Sequence, residues 1–299
     1  MMWSVLFPTQ MFQPRSVDDA FGKQLAAAQQ AGFATSLLNQ DALEMGDFNK
    51  AVQGVSHTGP MLYRGWMLSA PHYAKLAQAL AAKDIVLINT AEQYAHCHHL
   101  PDSFELIREH TPASVWVPAA DGEVNLARVV ESAAAFGDKA VVIKDWVKSR
   151  KHEWHEACFI PSASDAASVS KIAATFVERQ GDNLTGGVVI REFIELQSVG
   201  THPKSGMPLT KEFRVFVLDG EPLLAARYWS DGSYAEDDLP LDQFAAIMRS
   251  VQSRFFTMDI AQGIDGVWRI IELGDGQVAG LLDSIGEAEF FAALAARLR

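Results

Sequence analysis

Two acidic residues stand inside short β-rich runs near the C-terminus, Asp259 in Phe255-Phe256-Thr257-Met258-Asp259-Ile260 and Glu272 in Trp268-Arg269-Ile270-Ile271-Glu272-Leu273. The seven residues 261–267 between the runs are enough for an antiparallel hairpin that sets the carboxylates close together. Carboxylates facing each other across neighbouring strands repel and cost stability. A divalent cation between them removes that cost, and Mg2+ favours a few carboxylates completed by phosphate oxygens. The competing explanation is that both side chains simply alternate out to solvent.

Cationic residues form the complementary set. Lys144 ends the apolar run Ala140-Val141-Val142-Ile143-Lys144, where its ammonium either meets an anion as a point charge or snorkels from an edge strand. Lys148, Arg150 and Lys151 follow in the polar stretch 147–155, which reads as an exposed loop that either closes over phosphates or is ordinarily solvated. Arg214 lies in Glu212-Phe213-Arg214-Val215-Phe216 and Arg227 in Ala225-Ala226-Arg227-Tyr228-Trp229, with the hairpin signal Asp219-Gly220 between them. Alternation puts Glu212, Arg214 and Phe216 on one face, and the paired strand is expected to bring Arg227 near them. Forked guanidinium donors suit phosphate or carboxylate, while a structural pair with Glu212 is the alternative. Arg64, in Arg64-Gly65-Trp66 after an apolar run, either holds a substrate carboxylate or serves the structure. Tyr94-Ala95-His96-Cys97-His98-His99 contains zinc-ligating residue types. Ligands this tight in sequence rarely converge on one ion, and no second cluster completes four. P-loop, nucleophile-elbow and GxGxxG patterns are missing.

These residues need a scaffold, and the chain offers one. Its 299 residues suffice for two domains or several lobes, and 48% hydrophobic with 21% charged residues is ordinary for a folded globular protein. A net charge of −12 opposes non-specific nucleic-acid binding, so an anionic ligand has to be met by local cations or metal ions. Cys97 and Cys158 lack CxxC spacing and suit free thiols in a reducing compartment. The first residues show no signal-peptide pattern, and no stretch approaches the roughly 20 apolar residues of a membrane helix. A cytoplasmic protein without membrane contact is expected. Strand-like runs at 3–8, 34–38, 61–67 and 84–89 alternate with helical runs at 18–31 and 73–82, which predicts a Rossmann-like parallel sheet. Pro112, Pro118 and Asp121-Gly122 break the pattern and place a domain boundary at 115/116. Beyond it, strands at 140–146, 156–160, 187–196, 212–218, 222–229, 255–260 and 267–272 group around helices at 126–136, 166–179, 241–254 and 287–298. That grouping suits two α+β lobes, 116–190 and 191–299.

In this order the segments resemble an ATP-grasp protein over residues 140–282. The resemblance is closest to the divergent clade named for two arginines and a lysine, on the segments Arg64-Gly65-Trp66, Glu212 to Phe216 and Glu272 to Val278. That clade is similar to chaperones that assemble a eukaryotic translation initiation factor. The resemblance implies a Rossmann-like N-terminal domain followed by a two-lobed ATP-grasp domain that binds ATP and Mg2+. It implies that Lys144, with Lys148 or Lys151, meets the phosphates, and that the backbone of Glu192, Phe193 and Ile194 meets adenine. Glu195 or Glu212 would hold the ribose, Asp259 and Glu272 the metal, and Arg214 and Arg227 the transferred phosphate or acyl substrate. Two departures stand out. The family's third metal ligand, an asparagine, is replaced by Gly274, leaving Asp275 as the substitute; and an early phosphate-binding lysine has no counterpart near 102–109. The implied activity is an ATP-dependent carboxylate–amine ligase acting on small-molecule or peptide substrates. An ATP-binding assembly chaperone is the alternative, and a small-molecule kinase a third.

Overall fold

The structure is a computed structural model and describes residues 2–201, 208–232, 234–235 and 239–298. Contacts divide the chain into two compact units, one built from Met1–Cys97, Ser198–Ile260 and Glu272–Arg299, the other from His98–Gln197 and Ala261–Ile271. The boundaries expected at 115/116 and 190/191 both fall inside strands, Ser114–Pro118 and Gly187–Glu192.

In the first unit, β1 (Ser4–Gln10) pairs antiparallel with β2 (Gln13–Val17) and parallel with β3 (Ala34–Leu38) and β4 (Gly59–Tyr63), and β4 pairs parallel with β5 (Ile85–Leu87). The parallel arrangement is the expected one; β2 is the addition, a polar strand without the alternation that marks a half-buried one. Helices Gly22–Gln30 and Ala70–Ala81 supply the crossovers, the latter capped by Ser69 and burying Tyr73, Leu76, Ala79 and Leu80.

In the second unit, β6 (Ser114–Pro118), β7 (Val141–Lys144), β8 (Phe159–Ile160) and β9 (Gly187–Glu192) form an antiparallel sheet in the order β6-β9-β7-β8. Pro118 is tolerated because it ends an edge strand. Helix Ala166–Gln180 starts at Asp165, whose carboxylate accepts from Ser168 N–H, and lays Val169, Ile172, Ala173 and Phe176 on this sheet. The stretch 147–155 is not simply a loop. Lys151–Glu153 forms a 3-10 turn and Trp154–Ala157 a helical turn, because Glu153 bonds Arg150 and Arg179.

The antiparallel pair β10 (Ser198–Thr201) and β11 (Pro208–Thr210) belongs to the first unit. The strands β12 (Glu212–Leu218), β13 (Glu221–Arg227), β14 (Phe255–Gln262) and β15 (Trp268–Asp275) follow in the order β13-β12-β14-β15, with Phe255 to Ile260 of β14 and Glu272 to Asp275 of β15 in the first unit. Asp219 and Gly220 both have positive φ, 52° and 78°, as a tight hairpin turn requires. Phe216, Leu218 and Phe255 of this sheet join Val5, Phe7, Leu62 and the helical Phe290 and Phe291 in one core. β14 is buried from Phe255 through Ala261, so Asp259 is a charge in a strand covered on both faces. Within the second unit, Arg191 of β9 donates to the carbonyls of Ile270 and Ile271.

Candidate functional site

In the first unit, Gly276 N–H donates to Phe255 O, and Thr257 Oγ1 lies 3.0 Å from where a Cβ on Gly274 would stand. This register sets Asp259 opposite Glu272 on one face of β14 and β15, as the hairpin argument expects. Asp259 is 4% exposed and Glu272, on the outer strand, is open to solvent. Arg214 of the neighbouring β12 bonds Asp259 through both oxygens, Nε to Oδ1 at 2.8 Å and Nη2 to Oδ2 at 2.7 Å. Burial opposes the Arg214 charge, but Asp259, with Tyr228 and Glu272 adding, holds its guanidinium well above its ordinary range. Two facing carboxylates fit a Mg2+ ion whose remaining positions go to phosphate oxygens and water. Among the described residues no group of three or more His, Cys, Asp or Glu is placed to hold a metal ion.

Three expected members do not join this face. Arg227 is in register with Phe213, whereas Arg214 is in register with Ala226, so the two arginines project from opposite faces of the sheet. Arg227 donates instead to Gly232 O and Tyr234 O. Tyr228, one residue on, takes the place beside Arg214, whose guanidinium carbon stands 5.1 Å from the ring centroid. Asp275, three residues after Glu272, has the opposite strand parity and is wholly buried. Its oxygens accept from Asn89 Nδ2 at 2.6 Å and Gln277 N–H at 2.9 Å, so it does not stand in for the missing asparagine. Arg64 is 1% exposed: Nη1 donates to the carbonyls of Gly276, Gln277 and Ala279, and Nε and Nη2 donate to Gln24 Oε1. Its donors are spent within the fold rather than open to a substrate. Burial lowers it to about 10, with Asp275 and Tyr63 pulling back.

Burial also pushes the Asp275 carboxyl up from 3.8 to about 7, despite the bonds from Asn89 and Gln277. The folded state therefore binds more protons than the unfolded one between these values. The contribution is fully present below pH 4 and is lost as pH rises through 7, about 4 kcal/mol at most for a three-unit shift. Asp275→Asn is expected to remove this part of the pH dependence. Urea unfolding from pH 5 to 8 checks it; a wild-type-minus-variant difference that stays constant with pH overturns it.

In the second unit, Lys144 ends β7 half-buried, its Nζ donating to Val147 O at 3.2 Å, and Lys148 and Lys151 are exposed. Burial, then the charges of His99, Lys148 and Lys144, lower the His98 imidazole to about 3, so it stays neutral beside these cations. Two of the three backbone amides expected to meet adenine are already used: Glu192 N–H donates to Ala113 O and Phe193 N–H to Ala140 O, leaving Ile194. Phe193 meets Trp154 and Phe159 edge-on, and those two stack at 5.0 Å; the three rings lie too far apart in sequence for any local pattern to announce this cluster. Glu195 is exposed in the second unit; Glu212, in the first, is buried with Oε2 accepting from Thr210 Oγ1.

The chain resembles solved structures along nearly its whole length. D-cycloserine synthetase DcsG matches with TM-score 0.62 at 16% identity, covering 99% of each chain. The D-alanine–D-alanine ligase of Bacillus anthracis, complexed with ATP, matches with TM-score 0.57 at 11% identity, covering 100% of this chain and 98% of that one. The ATP-grasp ligase PsnB, complexed with a precursor variant, Mg and ADP, matches with TM-score 0.56 at 15% identity, covering 100% of both. At these identities the likeness concerns the fold alone. No curated protein matches the sequence. The model of an ATP-grasp domain, family 3 of the clade named for two arginines and a lysine, matches residues 135–297, more than half of the chain. With that match and the mixed α/β architecture, the chain belongs to this two-arginine, one-lysine clade of the ATP-grasp family.

Proposed function

We propose that the chain is an ATP-dependent carboxylate–amine ligase. The observation that supports this most is the facing pair Asp259 and Glu272 with Arg214 bonded beside it. In this reading Asp259 and Glu272 hold Mg2+, which when bound offsets charge on the phosphate oxygens. Lys144 and the exposed Lys148 and Lys151 meet the phosphates, Ile194 the adenine, and Glu195 or Glu212 the ribose. Arg214 offers a forked cation to the phosphoryl group as it moves. A carboxylate oxygen of the substrate takes the γ-phosphoryl group and ADP leaves. The amine then attacks the acyl carbon, phosphate leaves with the bonding pair, and the amine gives up a proton. Substrates are small molecules or peptides, as with the solved ligases of this fold, and the setting is the cytoplasm.

One observation favours a second reading, an ATP-binding assembly chaperone or adaptor. Arg64, Arg214 and Arg227 do not converge, so the cluster that would hold a substrate carboxylate beside the phosphate is reduced to Arg214. The purified chain with Mg2+ and ATP, offered a panel of amino acids and short peptides in pairs, separates the two. Release of ADP and phosphate that depends on a carboxylate and an amine supports the ligase. Tight ATP binding without release on any pair supports the chaperone, and lack of ATP binding overturns both.

A further inference from the structure

Asp145 has no part in the reading above, yet it is the carboxylate nearest in sequence to the phosphate-binding cations. It is 1% exposed and accepts four N–H bonds: from Val147 at 2.7 Å and Lys148 at 2.5 Å on Oδ1, and from Gln180 Nε2 at 2.9 Å and Thr185 N–H at 3.3 Å on Oδ2. A buried carboxylate is tolerated only when its oxygens are so filled. None of the four donors is a cation, so the carboxylate's charge is not paired by them. Asp145 N–H also donates to Lys148 O, and Lys144 pairs with Ser149 across the turn. The turn orients Val147 O, which receives the Lys144 ammonium at 3.2 Å. Gln180 extends the arrangement, since its Oε1 accepts from Arg150 Nη1 at 3.0 Å. Arg150 is thereby tied to the end of helix Ala166–Gln180, while Lys148 and Lys151 stay exposed.

We propose that Asp145 is a positioning residue for nucleotide phosphates: it fixes the turn 145–149, which holds the Lys144 ammonium on Val147 O and sets the backbone from which the exposed Lys148 side chain departs. The proposal rests on the reading of this chain as ATP-binding. Without the carboxylate, the amides of Val147 and Lys148 lose their acceptor, and only the Asp145 N–H bond to Lys148 O and the Lys144–Ser149 pairing are left to define the turn. Binding of the phosphates then has to supply the ordering.

The test is titration of the full chain with Mg–ATP, ADP and adenosine, for wild type and for Asp145→Asn, Asp145→Ala and Gln180→Leu, with thermal unfolding of each. ATP and ADP affinity is expected to fall about tenfold or more in Asp145→Ala, less in Asp145→Asn, and about twofold in Gln180→Leu. Adenosine affinity is expected to stay unchanged, a contrast that a merely structural role does not produce. Equal weakening of ATP and adenosine, or unchanged ATP affinity in folded variants, overturns the proposal. Should Asp145→Ala not fold, Asp145→Asn and Gln180→Leu decide it by the same contrast. Wild type that does not bind ATP is a failure of the functional reading; loss of the contrast in ATP-binding wild type and variants is a failure of this inference alone.

Discussion

Glu272→Gln is expected to lower ATP turnover about 100-fold or more while changing stability by no more than about 0.5 kcal/mol. Glu272 is exposed on the outer strand, so loss of its charge removes the proposed metal ligand and breaks no buried bond. Asp259→Asn is expected to match that loss of turnover and also to destabilise by about 3–5 kcal/mol. It leaves the Arg214 guanidinium, 15% exposed in its side chain, with one neutral amide oxygen in place of the two carboxylate oxygens it now bonds. The pair of variants therefore separates metal ligation from fold support, read as ADP release on one axis and urea midpoint on the other. Retained turnover in Glu272→Gln removes the metal assignment. The bidentate bond also means that a cation approaching Asp259 meets Arg214 already there, so metal affinity is expected to be weak until phosphate oxygens complete the site and give Arg214 another anion.

How much of this is legible in the sequence differs from element to element. The facing of Asp259 and Glu272 follows from two β-rich runs and a short gap, because strand parity is fixed once a hairpin forms. The Asp219-Gly220 turn is legible for the same reason: both residues tolerate positive φ, and few pairs do. Arg227 shows the limit of that logic. Alternation along one strand places Arg214 and Glu212 correctly, but the partner's register decides which neighbour shares their face, and that neighbour is Tyr228. Proximity in sequence to Glu272 draws Asp275 toward the metal, whereas an odd offset on a strand turns it into the core.

Other elements carry too weak a local signal. Helices Ala91–His98 and Leu100–Ile107 are not legible, the first because its polar residues are spread around the helix and the second because Pro101 reads as a breaker although it sits in the first turn, where proline is tolerated. The part-helical form of 147–155 depends on ion pairs from Arg179, nearly 30 residues away, which no local pattern shows. In sequence Asp145 is an ordinary charge near the end of the strand expected at 140–146. Its four donors come from the turn, the end of a helix and the approach to β9, so only the folded chain reveals it.

Arg64→Ala is expected to cost about 3–5 kcal/mol and to prevent stable folding where the margin is small. The change empties the space of a large, fully buried side chain and leaves Gly276, Gln277 and Ala279 carbonyls short of a donor. Each buried acceptor left without a donor costs about 1–3 kcal/mol, and these three lie on the segment that follows β15. Asp275 also loses the cation that draws its proton away, so its carboxyl is expected to move further up. Arg64→Lys is expected to recover little, since one ammonium on a flexible stem cannot span Gln24 and three carbonyls with a planar fork's geometry. The outcome discriminates between the two roles the sequence allows. A structural arginine gives a large drop in urea midpoint, with nucleotide affinity per folded molecule near wild type. A substrate-binding arginine gives an unchanged midpoint and a raised KM for the acyl substrate alone. Fluorescence-monitored urea unfolding of Arg64→Ala and Arg64→Lys decides it, because a guanidinium whose three nitrogens all bond inward to Gln24 and backbone carbonyls predicts the first pattern.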